Sequence, residues 1–107
     1  MLPIMILIAG SNDLAGASCA DVNSAFRRED LRAVRKILDY ELEKWREMDT
    51  MAAGLGQPTL LGQMSHKAMI NNLAMIGSWC RANTDEALPE VVKDLYAMMR
   101  RIYNLYN

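Results

Sequence analysis

The chain has little of the chemistry from which metal and catalytic centres are built. Its 107 residues include only two cysteines and one histidine. Cys19 and Cys80 are too few for a zinc set or a disulfide framework, and His66 has no second ligand at metal spacing. We therefore predict no metal, no cofactor and no catalytic residues. The two thiols are predicted to be reduced and mostly buried, with one disulfide as the alternative if the chain is exported.

A glycine-rich phosphate-binding loop is also missing. The segment 54–56 has two glycines, but it lacks the lysine of a nucleotide loop and the strand–turn–helix setting of a dinucleotide site. An acidic series nearby is interspersed with Arg35, Lys44 and Arg46, so we interpret it as a solvated, charge-paired surface. Its members are Asp39, Glu41, Glu43, Glu47 and Asp49. The protein is accordingly predicted not to be an enzyme.

Long hydrophobic runs are absent. The apolar stretch Leu2–Ala9 is far shorter than the roughly 20 residues that a membrane helix needs. No lysine or arginine precedes it, and Asp13 interrupts the region before a signal-type cleavage site. We predict that segment 1–20 is an apolar strand or short helix, with a turn, of a cytoplasmic protein. An exported chain in which this segment acts as a signal is the alternative.

A large excess of one charge is absent too. The net charge is −1, whereas proteins that bind duplex DNA usually carry a basic excess. Apolar residues make up 51% of the chain and charged residues 23%, which is typical of a folded protein. The length fits one domain.

Apolar residues follow a helical period in three parts of the chain. Helices are predicted over residues 24–55, 59–82 and 88–106, separated by glycine-, proline- and asparagine-containing turns. The first has a stripe from Leu31 to Leu55, and the second is apolar almost all round. We predict an all-α fold: an antiparallel three-helix bundle with an additional apolar N-terminal segment, forming an oligomer, with a dimer favoured.

The last predicted helix has two apolar rows, and the second row has too few internal partners unless the N-terminal segment supplies them. Tyrosines, which are enriched in interfaces, stand in this row. We predict that it is a partner interface composed of Val92, Tyr96, Met99, Tyr103 and Tyr106. The favoured function is a non-enzymatic protein-interaction module that self-associates or docks a protein partner through apolar helix faces, as an adaptor, chaperone, or assembly or regulatory factor.

A basic stripe lies near the start of the first predicted helix, where cations oppose the helix dipole. It consists of Arg28, Arg32, Arg35 and Lys36. One interpretation is an anion or nucleic-acid contact, and the other is a solvated face balanced by Glu29, Asp30 and Asp39. No aromatic residues interleave with this stripe, so stacking on single strands is not indicated. The alternative function is a small nucleic-acid-associated protein that uses the stripe together with Arg27.

Overall fold

The computed structural model describes residues 11–105, and this part of the chain is all-helical. A 3₁₀ helix over Ser11–Gly16 precedes four α-helices, which are α1 (Cys19–Arg27), α2 (Leu31–Gly54), α3 (His66–Ala82) and α4 (Leu88–Ile102). The described residues contain no strand, only an isolated antiparallel bridge between Ser18 and Ala87. The predicted all-α class is confirmed. Residues 1–10 of the predicted N-terminal segment lie outside the described range.

The predicted helix over 24–55 is two helices, because the helical backbone is interrupted at Glu29. Glu29 has a φ of 52°, in the left-handed region, and Asp30 N–H donates to the carbonyl oxygen of Ala25 at 3.1 Å. Together with the bond from Glu29 N–H to Phe26 O, this is a Schellman ending of α1. Asp30 then caps α2 by accepting a hydrogen bond from Ala33 N–H at 3.1 Å.

The ends of α2 and α4 are also followed by left-handed residues. Gly56 follows α2 with a φ of 78°, and Asn104 follows α4 with a φ of 58°. Asn104 ends α4 before the predicted limit of 106. The predicted helix over 59–82 begins only at His66, because Ser65 caps it by accepting from Ala68 N–H at 3.0 Å. The residues before Ser65 form turns.

The hydrophobic core is formed by all four helices and by the turns that follow α2 and α4. Its completely buried members include the large side chains Trp45, Leu60, Ile76, Leu88 and Leu95. Leu14 of the 3₁₀ helix packs against this core. The aliphatic row of α4 is buried at Leu88, Val91 and Leu95, as its spacing predicted, whereas Ile102 at the end of the helix is 62% exposed.

A disulfide joins the start of α1 to the end of α3. It links Cys19 and Cys80, which are both completely buried. Asn23 Nδ2 donates to the Cys80 carbonyl oxygen at 3.0 Å beside it. The two reduced thiols that the sequence predicted are therefore a disulfide here, because the antiparallel packing of α1 on α3 brings distant cysteines together.

Within residues 11–105, no helix has both the length and the apolar content needed to cross a bilayer.

Candidate interaction site

An apolar cleft opens where the 3₁₀ helix, α1, α2 and the start of α4 meet. Its volume is about 220 Å³. The apolar wall comes from all four elements and from the link between the 3₁₀ helix and α1, and it consists of Leu14, Ala17, Val22, Ala25, Ala33, Ile37 and Leu88. A cavity of about 150 Å³ is enough to hold benzene, so the cleft has room for one phenyl ring or branched aliphatic side chain.

Backbone hydrogen bonds fix the wall on the N-terminal side of the cleft. Leu88 N–H donates to the Ala17 carbonyl oxygen at 2.9 Å, and Cys19 N–H donates to the Glu86 carbonyl oxygen at 2.8 Å. The Asp21 carboxylate accepts a hydrogen bond from Ser18 N–H at 2.9 Å, which is half of a capping box. Asp21 is therefore engaged with the helix terminus although it also borders the cleft.

Two cations border the cleft, Arg28 at the end of α1 and Lys36 in α2. Arg28 Nη1 lies 3.7 Å from Asp30 Oδ2, and the Arg28 side chain is 61% exposed. Lys36 is exposed and forms no ion pair with any residue of the described range. The cleft thus combines an apolar interior with a positive rim, an arrangement suited to an apolar group next to a negative charge.

The predicted basic stripe is divided by the fold. Arg28 and Lys36 are brought together at the cleft, although α1 and α2 are separate helices. Arg35 instead pairs with Asp39, with Nε 3.4 Å from Oδ1. Arg32 is exposed and does not line the cleft.

Three residues of the predicted partner interface make contacts inside the protomer. Val92, Tyr96 and Met99 are buried inside the protomer, with exposures of 1%, 8% and 7%. The reason is that α2 covers this face of α4: Trp45 Nε1 donates to the Val92 carbonyl oxygen at 3.0 Å and its ring meets Tyr96 edge-on. Tyr103 is half-buried, and Tyr106 lies outside the described residues.

Two acids of the series predicted to be solvated are buried. Glu41 has no exposed surface and Asp49 is 6% exposed. The Asp49 carboxylate accepts hydrogen bonds from Leu60 N–H at 2.8 Å, from Leu61 N–H at 2.9 Å and from the Tyr96 hydroxyl at 2.5 Å. It therefore fixes the turn after α2 and holds α4 at the same time.

Arg100 completes this buried polar cluster. Its Nη1 donates to the Pro58 carbonyl oxygen and its Nη2 to the Leu105 carbonyl oxygen, both at 2.7 Å. Burial, followed by the hydrogen bond to Asp49, raises the pKa of Tyr96 to about 12, so its hydroxyl stays protonated near neutral pH. The groups of the cluster are bound to protein atoms, and together they join α2, the turn after it and α4.

A second basic groove runs between α1 and α3. It is lined by Asn23, Phe26, Arg27 and Arg81. Sequence reasoning missed Arg81, because the packing of α1 on α3 and not chain proximity places it near Arg27. It also counted no aromatic residue in the basic stripe, whereas Phe26 lies in this groove and packs on Gly77.

His66 is exposed in the first turn of α3, and no group of three metal-ligating side chains occurs among residues 11–105.

Comparison of the chain with protein-family models, with curated proteins and with solved structures finds no match.

Proposed function

We propose that this chain is a non-enzymatic protein-interaction module, and that it docks a partner segment in the cleft between the 3₁₀ helix, α1 and α2. The observation that carries the proposal is the apolar cleft with Arg28 and Lys36 at its rim. A partner of matching chemistry has an apolar anchor residue with an aspartate or glutamate beside it. Burial of the anchor supplies affinity, and the charge pair at the rim sets orientation and rate.

The first test uses two small probes of the same shape, 3-phenylpropionate and its neutral amide. In amide NMR spectra, we expect the anionic probe to shift the signals of Val22, Ala25 and Ala33 and to bind several-fold more tightly than the amide. Lys36→Glu should weaken binding of the anionic probe several-fold. Lys67→Glu, an equal charge reversal at an exposed position on α3, should leave it unchanged. Absence of shifts at the cleft, or an equal response in both variants, contradicts the proposal.

A peptide selection then identifies the partner class. Peptides displayed at random and selected on the protein should share one large apolar residue next to an acidic residue, and they should lose binding to Lys36→Glu but not to Lys67→Glu. Salt-sensitive retention of a duplex or single-stranded oligonucleotide in a gel shift, abolished by Lys36→Glu, would instead support the nucleic-acid alternative.

Self-association is the second part of the proposal. Contacts between α2 and α4 keep a constant offset of 47 residues, Trp45 to Val92 and Asp49 to Tyr96. This supports parallel α2 and α4 with α3 reversed between them, as in the predicted antiparallel bundle. In that arrangement the ends of α2 and α4 lie at the same end of the bundle, where three large apolar side chains are exposed: Met51, Leu55 and Ile102.

Sedimentation velocity tests this second part. We expect wild-type protein at high micromolar concentration to contain a dimer, and Leu55→Glu to shift it to monomer because a charge would be placed in the apolar contact. Thr50→Glu, at an exposed position on the same helix, is the control. If the wild-type protein stays monomeric at every concentration, the self-association proposal is wrong. The cleft proposal is unaffected by that result.

We also propose an oxidising compartment, in place of the predicted cytoplasmic one. The support is the Cys19–Cys80 disulfide, since disulfides persist where the surroundings are oxidising. Protein isolated from its source in the presence of an alkylating agent, without reductant, should contain no modified cysteine. Two alkylated cysteines would support the cytoplasmic prediction.

A further inference from the structure

A buried carboxyl group on α2 faces a buried carboxamide on α3. Glu41 and Asn72 are both fully buried, and Asn72 Nδ2 donates a hydrogen bond to Glu41 Oε1. The other two polar atoms of these groups, Glu41 Oε2 and Asn72 Oδ1, have no hydrogen-bond partner among the described residues. If Glu41 were a carboxylate, both would be acceptors and neither could satisfy the other.

A proton on Glu41 would give both unpartnered oxygen atoms a hydrogen bond. A carboxylic acid and a carboxamide have complementary edges, each with one donor and one acceptor. We propose that Glu41 is uncharged in the folded protein and that its Oε2–H donates a second hydrogen bond, to Asn72 Oδ1. The pair then joins α2 to α3, and its loss of a proton to solvent base in mildly alkaline solution opens that link. The inference does not depend on the function proposed for the cleft.

The surroundings of Glu41 support an uncharged group. Burial, only partly offset by the hydrogen bond from Asn72, raises the pKa of Glu41 to about 8. On α2 itself, Lys44 is three residues from Glu41 but is paired with Glu47, with Nζ 3.6 Å from Oε1, and no charged group contributes to the pKa shift of Glu41. The ionisable groups of α3 are exposed, and those of α1 are exposed. Of the two buried ones of α4, Tyr96 donates to Asp49, about 12 Å further along α2 at 1.5 Å per residue, and Arg100 donates to the Tyr96 hydroxyl and to two backbone carbonyl oxygens. These groups are, in that order, His66, Lys67 and Arg81, then Asp21 and Arg27, then Tyr96 and Arg100.

The proton links the fold to pH with a definite sign. The folded-state pKa of Glu41 is raised from an ordinary value of 4.5 to about 8. Between these two values the folded protein keeps a proton that the unfolded chain has released. The contribution to stability is therefore complete below pH 4.5 and falls as the pH rises. In this window the equilibrium constant for unfolding increases about tenfold per pH unit.

The direct test is a titration of the wild-type protein labelled with ¹³C at the glutamate side-chain carboxyl carbons. We expect one carboxyl signal, assigned to Glu41 by its absence in Glu41→Gln, to titrate with a midpoint near pH 8 in folded protein. A midpoint near the ordinary glutamate value of 4.5 would overturn the inference. If Glu41→Gln does not fold, the Glu41 signal is assigned instead by elimination, with Glu→Gln variants at the other glutamates.

The second test compares the pH dependence of stability. Glu41→Gln keeps the shape of the group and both hydrogen bonds but has no titrating proton. We expect the ratio of unfolding constants, wild type over Glu41→Gln, to rise about tenfold per pH unit between pH 5 and pH 8. Glu47→Gln, the same change at an exposed site of α2, should follow the wild type. Parallel pH profiles for wild type and Glu41→Gln would refute the inference.

Discussion

The Tyr96 hydroxyl donates a hydrogen bond to the same Asp49 carboxylate that accepts the backbone N–H groups of Leu60 and Leu61. One buried acid therefore connects α2, the following turn and α4. We expect Asp49→Ala to lower the free energy of unfolding by about 3–5 kcal/mol, since it removes three hydrogen bonds to a charged group and leaves their donors buried. Tyr96→Phe, which removes only one of them, should cost about 1–2 kcal/mol. Urea unfolding checks both values, and an Asp49→Ala loss no larger than that of Tyr96→Phe would contradict this account.

The same contact predicts a step in stability at high pH. The pKa of Tyr96 is raised from 10.0 to about 12, first by burial and then by Asp49. Because the folded-state pKa is raised, the contribution is complete below pH 10 and is lost as the pH rises toward 12. Unfolding curves for the wild type should therefore weaken across this range more steeply than those of Tyr96→Phe. Identical slopes would show that this hydroxyl ionises as freely in the folded state as in the unfolded chain.

A glycine should suit the junction between α1 and α2 better than the glutamate that is there. Glu29 has a φ of 52°, a conformation that costs an ordinary residue roughly 1–2 kcal/mol and glycine almost nothing. After allowing for the greater freedom of glycine in the unfolded chain, we expect Glu29→Gly to stabilise the protein by about 0.5–1 kcal/mol. Arg46→Gly, at an exposed site inside α2, should instead destabilise it by about 1 kcal/mol. Thermal unfolding that ranks the two variants in the opposite order would be inconsistent with the left-handed assignment.

Glu29 also shows which helix boundaries can be predicted from the sequence and which cannot. Helix faces could be predicted because apolar side chains recur at the helical period, and the helix ends near Gly56 and Asn83 carry residues that favour such ends. A glutamate in the left-handed region has no such marker. The boundary between α1 and α2 is therefore visible only in the structure, and the sequence predicts one long helix.

Contacts between residues that lie far apart in the sequence could not be predicted either. The spacing of Glu41 and Asp49 among surface charges resembles a solvated face, and nothing local indicates that Asn72 and Tyr96 lie opposite them. Likewise, periodicity identifies the second apolar row of α4 but not the helix that covers it. The cleft could be predicted only in part: Arg28 and Lys36 were selected by charge, whereas its apolar wall is assembled from four elements.

The contact between α1 and α3 leaves no room for a methyl group on Gly77. A Cβ atom there would lie 2.9 Å from Phe26 Cε2, closer than real Cβ contacts allow. We expect Gly77→Ala to lower the free energy of unfolding by about 1–3 kcal/mol through overpacking. Gly16→Ala, where an added Cβ meets nothing within 4 Å, should be nearly neutral. Denaturant unfolding of the two variants checks this, and a neutral Gly77→Ala would mean that the Phe26 ring moves aside easily.

The disulfide should contribute substantially to stability, because it closes a long loop. With a sequence separation of 61 residues between Cys19 and Cys80, the chain-entropy model gives about 4 kcal/mol. We expect a double variant with serine at both positions to lose stability of this order, and dithiothreitol to lower the wild-type midpoint toward that of the variant. Dithiothreitol should have no effect on the double variant itself. If the fully reduced wild-type protein unfolded at the same midpoint as the oxidised protein, the prediction would be contradicted.

The position of that disulfide also means that the connection between α2 and α3 is not needed to keep the molecule in one piece. The exposed turn at 55–58 lies inside the ring closed by Cys19 and Cys80, so a protease that cuts there makes two chains which remain covalently joined. On a denaturing gel the cut protein would migrate as one species without reductant and as two with it. The core contacts of α2 with α4 and of α1 with α3 span that cut, and they give such a nicked form the means to stay folded.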